Sequence, residues 1–569
     1  MLGIRSLFNV SSKRAGSSLI DIGHSGNIGG RVVLVFQQKR NYCSCGGTEH
    51  SHHELGQQQQ PSQHVRVRYA PSPTGYLHLG GLRTALFNYL FAKKNKGTFI
   101  MRIEDTDQTR FVPGSAKNLE NCLEWAGIPY DEGPSRPGQC GPYVQSERLD
   151  IYKQYAQKLV ESGHAYHCFC SSERLDASRL NLKNKYAMSL YDRHCLKLSR
   201  EEIQTRLDRG DAHTIRLKIP HEKTTKFTDV VKGNVSFQNH LIDDQVLMKS
   251  DGFPTYHLAS VVDDHLMGIS HIIRGEEWLN SAPKHMILYE AFGWKPPIMA
   301  HVPLLLNSDK SKLSKRQGDV SVDSYMNKGF LPEALVNFVA FLGWSPEVKE
   351  GETPKEIMEL DELIEKFSLE GINKSGSVVG MDRLDWFNVN HIRKMLMDKE
   401  KVVNFFLPKI KQQLLDMNID IANVSDQYII EAIQCVKDRV HVVDDFQSLL
   451  KGFFVSEIDY TTEEAMKMKA KVWKSDSKAN VTTFATLLSQ IPDSDFNADE
   501  IYKTLQIAAN SIYQGLNEKE LSQKVNQLMS NIRYLLLASP VGGGIPSTIQ
   551  ILGKENTLKR LGDGLNKQQ

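Results

Sequence analysis

The sequence predicts a parallel α/β domain followed by an all-α region. Residues 65–69 alternate apolar and basic side chains, a period-2 pattern typical of a strand. Residues 82–90 carry apolar side chains at helical spacing, and a loop rich in proline and glycine separates the two segments. From about residue 330 onward the apolar spacing is predominantly helical. Because strands that alternate with helices indicate a parallel sheet, the chain divides into an α/β part and a helical part.

Further elements follow the first strand–loop–helix unit in chain order. Strand-like segments are 99–103, 255–267 and 271–275, and helical segments are 115–126 and 147–162. The segment from about 167 to 240 is richer in charge and turns, which is typical of an insertion. We place the boundary between the α/β part and the helical part between about 320 and 400.

Composition excludes several classes of protein. Lys and Arg total 69 against 67 for Asp and Glu, so the net charge of +2 predicts no bulk affinity for polyanions. Any contact with nucleic acid must therefore come from local patches. Eight thinly spread cysteines suit a reducing compartment. No apolar run approaches the ~18 residues of a membrane span, so we expect no membrane association.

The first 63 residues differ from the rest. Residues 1–42 contain many serines, the single acid Asp21, and the basic residues Arg5, Lys13, Arg14, Arg31, Lys39 and Arg40. That composition is typical of a mitochondrial or plastid transit peptide. Residues 43–63 form a low-complexity polar linker. Its Cys43, Cys45, His50, His52 and His53 could bind metal, but a spacer is favoured because nothing nearby fixes ligand geometry.

Two short motifs point to phosphate chemistry. HLGG, residues 78–81, opens the first helix, where backbone N–H groups and the helix dipole attract phosphate. Its glycines let a nucleotide approach, although a helix-capping or core role for His78 is favoured when the motif is taken alone. KSKLSKRQGD, residues 310–319, could close over a triphosphate, and taken alone it is better explained as a solvated basic loop.

Together, in an α/β chain, these motifs resemble the two signatures of class I aminoacyl-tRNA synthetases. The surrounding text narrows the resemblance to the bacterial and organellar type of glutamyl-tRNA synthetase. The matching blocks are RYAPSPTGYLHLGGLRTALFNYLFA, FIMRIEDTD, EGP, GPYVQSERLDIY, FPTYHLASVVDDHLMGISHIIRGEEW, LLLNSDKSKLSKR, GFLPEALVNFVAFLGWSP and DRLDWFN. They cover about residues 65–395, and a fainter resemblance continues to LGKENTLKRL near the end.

The resemblance implies an α/β Rossmann-type catalytic core with an inserted α+β acceptor-binding domain, followed by an all-α C-terminal anticodon-binding region. Its implied boundaries are 1–63 for the transit peptide and linker, 64–166 for the first half of the core, 167–240 for the inserted acceptor-end domain, 241–320 for the second half with the KLSKR loop, 321–395 for a stem-contact region and 396–569 for the helical anticodon-binding domain.

Site residues carry over from the resemblance position by position. The glutamate-binding residues are Arg68, Tyr69, Ala70, Ser72, Glu104, Tyr256, His257, Leu258, Ala259, Ser260 and Arg274. The ATP-binding residues are His78, Gly80, Gly81, Glu277, Lys312, Leu313, Ser314, Lys315 and Arg316, of which His78, Lys312 and Lys315 are catalytic. Glu104 would accept the substrate ammonium, and Arg274 would face the side-chain carboxylate. The alternative for Arg68 and Arg274 is a salt bridge to Glu104 or Asp105.

This sequence departs from the family pattern at two places. The first signature usually ends in His, but here it ends in Gly81. Cys168, Cys170 and Cys195 resemble the zinc ligands of some members, but Lys197 stands where the fourth ligand, a His, is usual. Because three ligands make a poor closed site, we expect no structural zinc and no other bound metal apart from the Mg²⁺ that accompanies ATP.

The implied activity is ATP-dependent attachment of L-glutamate to tRNA(Glu) through glutamyl-adenylate, by a monomer in the mitochondrial matrix. Whether tRNA(Gln) is also charged stays open. The alternatives are glutaminyl-tRNA synthetase, whose anticodon part is a β-barrel, and the short glutamyl-queuosine enzyme, which lacks an anticodon domain. Others are a non-catalytic tRNA-binding scaffold of the same fold and a small-molecule adenylyltransferase.

Overall fold

The structure, a computed structural model, describes residues 64–186, 191–313, 321–349 and 351–568. Its strands are β1 (Arg66–Tyr69), β2 (Thr98–Met101), β3 (Ala165–Cys168), β4 (Thr214–Leu217), β5 (Thr224–Asp229), β6 (Gly233–Gln238), β7 (Val246–Met248), β8 (His271–Gly275), β9 (Ile298–Val302), β10 (Leu305–Leu306) and β11 (Ser377–Val378). The strands predicted at 65–69, 99–103 and 271–275 are confirmed as β1, β2 and β8.

Helices connect these strands and then form the rest of the chain. Those of the α/β part are α1 (Leu79–Lys94), α2 (Ser115–Trp125), α3 (Leu149–Glu161), α4 (Ser172–Tyr186), α5 (Arg200–Asp208), α6 (Tyr256–Leu266) and α7 (Ala282–Phe292). Next come α8 (Val322–Asn327), α9 (Pro332–Ala340), α10 (Leu360–Lys366), α11 (Met381–Leu396), α12 (Lys399–Lys401), α13 (Leu407–Asp416) and α14 (Asp426–Val436). The last are α15 (Asp445–Phe454), α16 (Glu463–Val472), α17 (Ser477–Ser489), α18 (Ala498–Ile512), α19 (Glu518–Leu537), α20 (Ile545–Leu552) and α21 (Lys554–Lys567).

The central β-structure is mainly parallel. β1 pairs with β2 and β8 pairs with β9, both in parallel. β5 continues the second sheet beside β9, and β6 closes it as an antiparallel edge. The two sheets meet where the backbone N–H of Ser270 donates to the carbonyl of Arg66 over 2.9 Å. The carboxyl ends of β1, β8 and β9 therefore open on one side, where α/β proteins bind ligands.

A separate antiparallel sheet, in the order β3–β4–β7, lies in the segment that interrupts the parallel strands. The predicted insertion, 167–240, supplies strands to both sheets, because β5 and β6 pair with the core strand β9. The domain boundaries taken from the sequence stay predictions.

One predicted strand is wrong. Residues 255–267 read as strand-like, but most of this segment forms helix α6. Seven consecutive residues, 258–264, are buried, including Ser260 and the two aspartates that follow Val262. Burial of most of this helix weakens the contrast between an apolar and a polar face on which a helical prediction depends.

Separate hydrophobic cores support the α/β part and the C-terminal helices. The first is built around α1, whose Leu82, Leu86 and Leu90 are fully buried. The second joins the C-terminal helices and includes Phe406, Phe446 and Phe484. The all-α character predicted for the C-terminal region is confirmed in residues 399–568. Among the described residues, no helix combines the length and apolar character required to cross a membrane.

Candidate active site

A cavity of about 320 Å³ opens at the carboxyl ends of β1 and β8. It is lined by predicted glutamate-site residues Arg68, Tyr69, Ala70, Ser72, Glu104, Tyr256 and Arg274, and by predicted ATP-site residues His78, Gly80, Gly81, Glu277, Lys312 and Leu313. Thirteen of the predicted residues are thus brought together from segments that are far apart in the sequence. The cavity wall also includes Thr74, Tyr76, Arg83, Thr84 and Trp278, which the sequence did not single out.

His78 caps helix α1 and also faces the cavity. Its backbone is extended, and its Nδ1 accepts a hydrogen bond from the backbone N–H of Gly81 over 3.2 Å. The capping role favoured for this residue is therefore present. An accepting Nδ1 leaves the ring proton on Nε2, which is the arrangement needed to donate to a phosphate oxygen.

Tight packing explains why a glycine, Gly81, stands at the end of the first signature. A Cβ at this position would lie 2.8 Å from the Tyr69 hydroxyl and 2.9 Å from Leu77 Cδ1. A side chain there would require the side chains of Tyr69 and Leu77 to move. The Tyr69 hydroxyl thus takes the space that the family's usual His side chain would need at position 81.

Buried charges form the floor of the cavity. Arg68 donates from Nε and Nη2 to the two carboxylate oxygens of Asp264, over 3.0 and 3.3 Å. Arg102, which is fully buried, contacts Asp264 over 2.8 Å and Glu104 over 2.9 Å. Burial raises the pKa of Glu104, and the charges of Arg102 and Arg68 oppose that shift. The alternative considered for Arg68, a bridge to Glu104 or Asp105, is not what the structure has; its ion-pair partner is Asp264.

Arg274 is a buried cation whose partners are neutral. Its exposed fraction is 4%. The guanidinium donates to Tyr256 Oη over 2.9 Å, to His301 Nε2 over 3.0 Å and to the carbonyl of Trp278 over 3.4 Å. Within the described part of the chain no carboxylate forms an ion pair with it, so the alternative of a bridge to Glu104 or Asp105 is wrong for this residue too. Its charge is available to an anion in the cavity.

An aromatic pair covers this guanidinium. The rings of Tyr256 and Trp278 lie 4.2 Å apart, centroid to centroid. Trp278 is 38% exposed, so it forms the outer wall while Tyr256 contacts Arg274 beneath it. The sequence signal for Trp278 was its place directly after Glu277, at the carboxyl end of a predicted strand.

Four predicted glutamate-site residues do not line this cavity: His257, Leu258, Ala259 and Ser260. They occupy the first turns of α6, where only Tyr256 points toward the opening. His257 Nδ1 instead lies 3.1 Å from His285 Nε2, and burial lowers its pKa to about 3. Leu258 and Ala259 belong to a hydrophobic core. The family resemblance implied these residues as one wall of the pocket, but a helix turns its successive side chains to different faces.

The structure describes the second signature, the KLSKR loop, only as far as Leu313. Lys312 lies opposite Leu306 of β10, and the backbone N–H of Leu313 donates to the Leu305 carbonyl over 2.9 Å. On its other side β10 pairs with β11. The predicted roles of Ser314, Lys315 and Arg316 lie outside the described residues. Lys312 is therefore held at the cavity by the backbone of β10.

Comparisons with known proteins agree with this geometry. Residues 64–386 match the family model described as tRNA synthetases class I (E and Q), catalytic domain, and residues 401–565 match an anticodon binding domain. A glutamate–tRNA ligase of Chlorobaculum parvum is 44% identical over 515 residues, covering 89% of this chain and 98% of the relative. The chain belongs to the glutamate–tRNA ligase family.

Other glutamate–tRNA ligases extend the comparison. The protein of Alkaliphilus metalliredigens is 42% identical over 504 residues, covering 87% of this chain and 98% of its own. A crystal structure of a glutamate tRNA ligase from Elizabethkingia meningosepticum, in complex with its amino acid, is 36% identical with a TM-score of 0.76. It covers 89% of this chain and 100% of that one. The predicted resemblance and the predicted succession of catalytic and helical parts are thereby confirmed.

The chain also brings three thiols together away from the cavity. The sulfurs of Cys168, Cys170 and Cys195 all lie within 4.8 Å of one another. The Tyr191 hydroxyl lies 3.4 Å from the sulfurs of Cys168 and Cys170 and accepts from the backbone N–H of Cys195. Three thiolates suit three corners of a tetrahedral zinc site. Tyr191, which the sequence did not single out, is the fourth polar side chain of this cluster, and the expectation of no structural zinc stays a prediction.

Proposed function

We propose that this chain attaches L-glutamate to tRNA(Glu), with ATP as the second substrate and glutamyl-adenylate as the intermediate. Membership of the glutamate–tRNA ligase family supports the overall reaction. The single observation that carries the choice of amino acid is the Arg274 guanidinium, which is buried at the cavity and has no carboxylate partner among the described residues. Burying an unpaired cation is costly, so the site is complete only with an anion.

The substrate's two charged ends match the two ends of the cavity. Glu104 would accept hydrogen bonds from the α-ammonium, and Arg274 would donate to the side-chain carboxylate. Arg102 and Arg68 keep the cavity's carboxylates compensated before the substrate arrives. Glutamine would place an NH₂ group against the Arg274 donors and leave both partners unsatisfied, which disfavours it more strongly than shape would.

Activation follows from positioning. The glutamate α-carboxylate would attack the α-phosphate of ATP in line, and pyrophosphate would leave. His78 Nε2 and the ammonium groups of Lys312 and Lys315 would stabilise the negative charge that grows on the phosphates. The Mg²⁺ usual for this family would neutralise phosphate charge. The terminal ribose hydroxyl of the tRNA would then attack the activated carbonyl, with no covalent enzyme intermediate.

None of the comparisons favours the alternatives. The catalytic family model includes both glutamate and glutamine enzymes, but the relatives cited above are glutamate–tRNA ligases. The helical region from residue 399 also differs from the β-barrel expected of a glutaminyl enzyme. A non-catalytic scaffold would have no need of the buried Arg274 and Glu104 at the cavity.

The test is ATP–pyrophosphate exchange by Arg274→Ala at graded glutamate concentrations with tRNA present. We expect kcat/KM for glutamate to fall by a factor that corresponds to a loss of roughly 2–5 kcal/mol in transition-state stabilisation. The KM for ATP should change little. Arg274→Lys should recover little, because an ammonium offers no parallel pair of donors. If activation by Arg274→Ala stays within about tenfold of the parent, less than about 1.4 kcal/mol, Arg274 is not the anchor.

We propose the cellular compartment of this reaction from the composition of the N-terminal segment. The basic, serine-rich segment 1–42 supports import into the mitochondrial matrix, where the enzyme would act as a monomer. Charging of tRNA(Gln) by the same enzyme would be measured directly, with purified tRNA(Gln) and labelled glutamate.

A further inference from the structure

Three neighbouring strands place a carboxylate, an imidazole and a guanidinium in a row. Arg274 on β8 stands opposite His301 on β9 in the parallel register. Asp229, the last residue of β5, is the position of that strand that pairs with β9, at Met299. All three side chains are buried, with exposed fractions of 4% for Arg274, 0% for His301 and 1% for Asp229.

The hydrogen bonds fix the direction of this row. Arg274 Nε donates to His301 Nε2 over 3.0 Å, so Nε2 carries no proton. The ring proton is therefore on Nδ1, which lies 2.7 Å from Asp229 Oδ2 and donates to it. Burial and the charge of Arg274 both lower the pKa of His301, which keeps the ring neutral. The neutral ring keeps its proton on Nδ1 because Asp229 accepts there. Only then is Nε2 free to accept from Arg274.

Asp229 is itself held by backbone. Its Oδ1 accepts from the N–H groups of Val231 and Lys232, over 3.0 and 2.8 Å. Its carboxylate cannot rotate away without losing those bonds. The turn between β5 and β6 thus fixes the carboxylate, the carboxylate fixes the tautomer of His301, and His301 fixes one edge of the guanidinium.

We propose that Asp229 and His301 are positioning residues for amino-acid selection, which orient Arg274 to bind the substrate's side-chain carboxylate. This inference rests on the proposed role of Arg274. Neither residue lines the cavity. Their effect on the substrate passes through Arg274, whose Nε donates to His301, while Nη1 and Nη2 donate to Tyr256 Oη and the Trp278 carbonyl at the cavity wall.

Asp229→Asn gives the sharpest test. The Asn oxygen would stay with the Val231 and Lys232 N–H groups, which directs the NH₂ toward His301 Nδ1. The ring would then carry its proton on Nε2, and Nε2–H would face Arg274 Nε–H, donor against donor. We expect the KM for glutamate in pyrophosphate exchange to rise about tenfold or more, with the KM for ATP within about twofold of the parent.

His301 variants provide a second test that does not depend on the folding of Asp229→Asn. His301→Gln keeps an acceptor oxygen near the position of Nε2, whereas His301→Leu keeps none. Glutamate KM should be near the parent value for His301→Gln and raised for His301→Leu. Asp244→Asn is the matched control, since Asp244 is a buried carboxylate that also accepts from a backbone N–H, that of Ile219, in the other sheet region. It should alter thermal stability but not the glutamate KM.

A double-mutant cycle separates this inference from the proposed function. In the Arg274→Ala background, Asp229→Asn should add little to the loss of glutamate activation, because the residue through which it acts is gone. Equal effects of Asp229→Asn with and without Arg274 would overturn the inference, as would a parental glutamate KM in both Asp229→Asn and His301→Leu. If Arg274→Ala itself leaves glutamate activation unchanged, the proposed role of Arg274 as the side-chain anchor fails.

Discussion

Arg68 and Asp264 form a two-point ion pair inside the protein, with Nε–Oδ1 and Nη2–Oδ2 distances of 3.0 and 3.3 Å. Asp264 also contacts Arg102 over 2.8 Å, so one carboxylate compensates two buried guanidinium groups beneath the cavity. The pKa of Asp264 is lowered even though burial alone would raise it, because the two arginines favour its ionised form. The cavity floor is therefore built on Asp264.

We expect Asp264→Asn to destabilise the protein by about 3–5 kcal/mol, because it leaves Arg68 and Arg102 with insufficient negative charge in a buried site. Chemical denaturation of parent and variant measures this difference. Glu463→Gln is the control: its ion pair with Lys467 is 80% exposed on the Glu side, so its loss should cost less than about 1 kcal/mol. Equal costs for the two variants would contradict this account of the floor.

Lys312 is expected to act on the transition state more than on ATP binding, since it meets charge that appears as pyrophosphate leaves. Lys312→Ala should lower kcat for pyrophosphate exchange by roughly a hundredfold, with a smaller change in the KM for ATP. Steady-state kinetics at varied ATP concentration distinguish the two parameters. A pure KM effect would identify the loop as a binding clamp.

His391 should make the stability of the protein depend on pH. Its Nε2 lies 2.9 Å from Asn337 Oδ1, and burial lowers its pKa to about 4 from 6.5. Between about pH 6.5 and about pH 4 the unfolded chain binds a proton that the folded chain does not, so stability falls as the pH falls, by up to about 1.4 kcal/mol per pH unit. Above about pH 6.5 this contribution is fully present.

His391→Gln should remove that contribution while keeping a donor for Asn337. Denaturant unfolding measured at several pH values would show that the free energy of unfolding depends less steeply on pH in the variant. The difference in slope should correspond to about one bound proton. The other buried histidines are common to both proteins, so the difference in slope isolates His391. Parallel curves for parent and variant would show that the His391 pKa is not lowered in the folded state.

The proposed mitochondrial import predicts that the basic, serine-rich N-terminal segment is processed. We expect residues 1 to about 42 to be removed on import, so that the mature chain begins near Cys43. N-terminal sequencing of the protein recovered from mitochondria gives the answer. Recovery of chains that retain Met1 from the matrix would contradict the prediction.

Much of the candidate site was predictable because its residues follow predicted strands or open a predicted helix. His78 begins α1, Glu104 follows β2, and Arg274 lies near the end of β8. The period-2 and helical patterns locate those element ends, and parallel strands bring their carboxyl ends to one edge. The structure accordingly brings these three side chains to one cavity.

The partners of those residues were not predictable from local pattern. Arg68 and Asp264 are 196 residues apart, and the sequence considered Glu104 or Asp105 as the partner of Arg68. The family resemblance implied His257 to Ser260 as cavity residues, whereas the buried helix α6 turns them away from it. Tyr191 was missed beside the cysteines, since a phenol is not an ordinary metal ligand.

The sequence by itself determined the first strand–loop–helix unit, β2, β8, α2 and α3, the order of the catalytic and helical parts, and which residue types carry the chemistry. Local periodicity and short motifs encode those properties within a few residues. Only the tertiary structure decided that Arg274 lies beside His301 and Asp229 and that Asp264 compensates two arginines. Such pairings depend on strand order and register, which are set by the packing of the whole sheet and leave no periodic trace in the sequence.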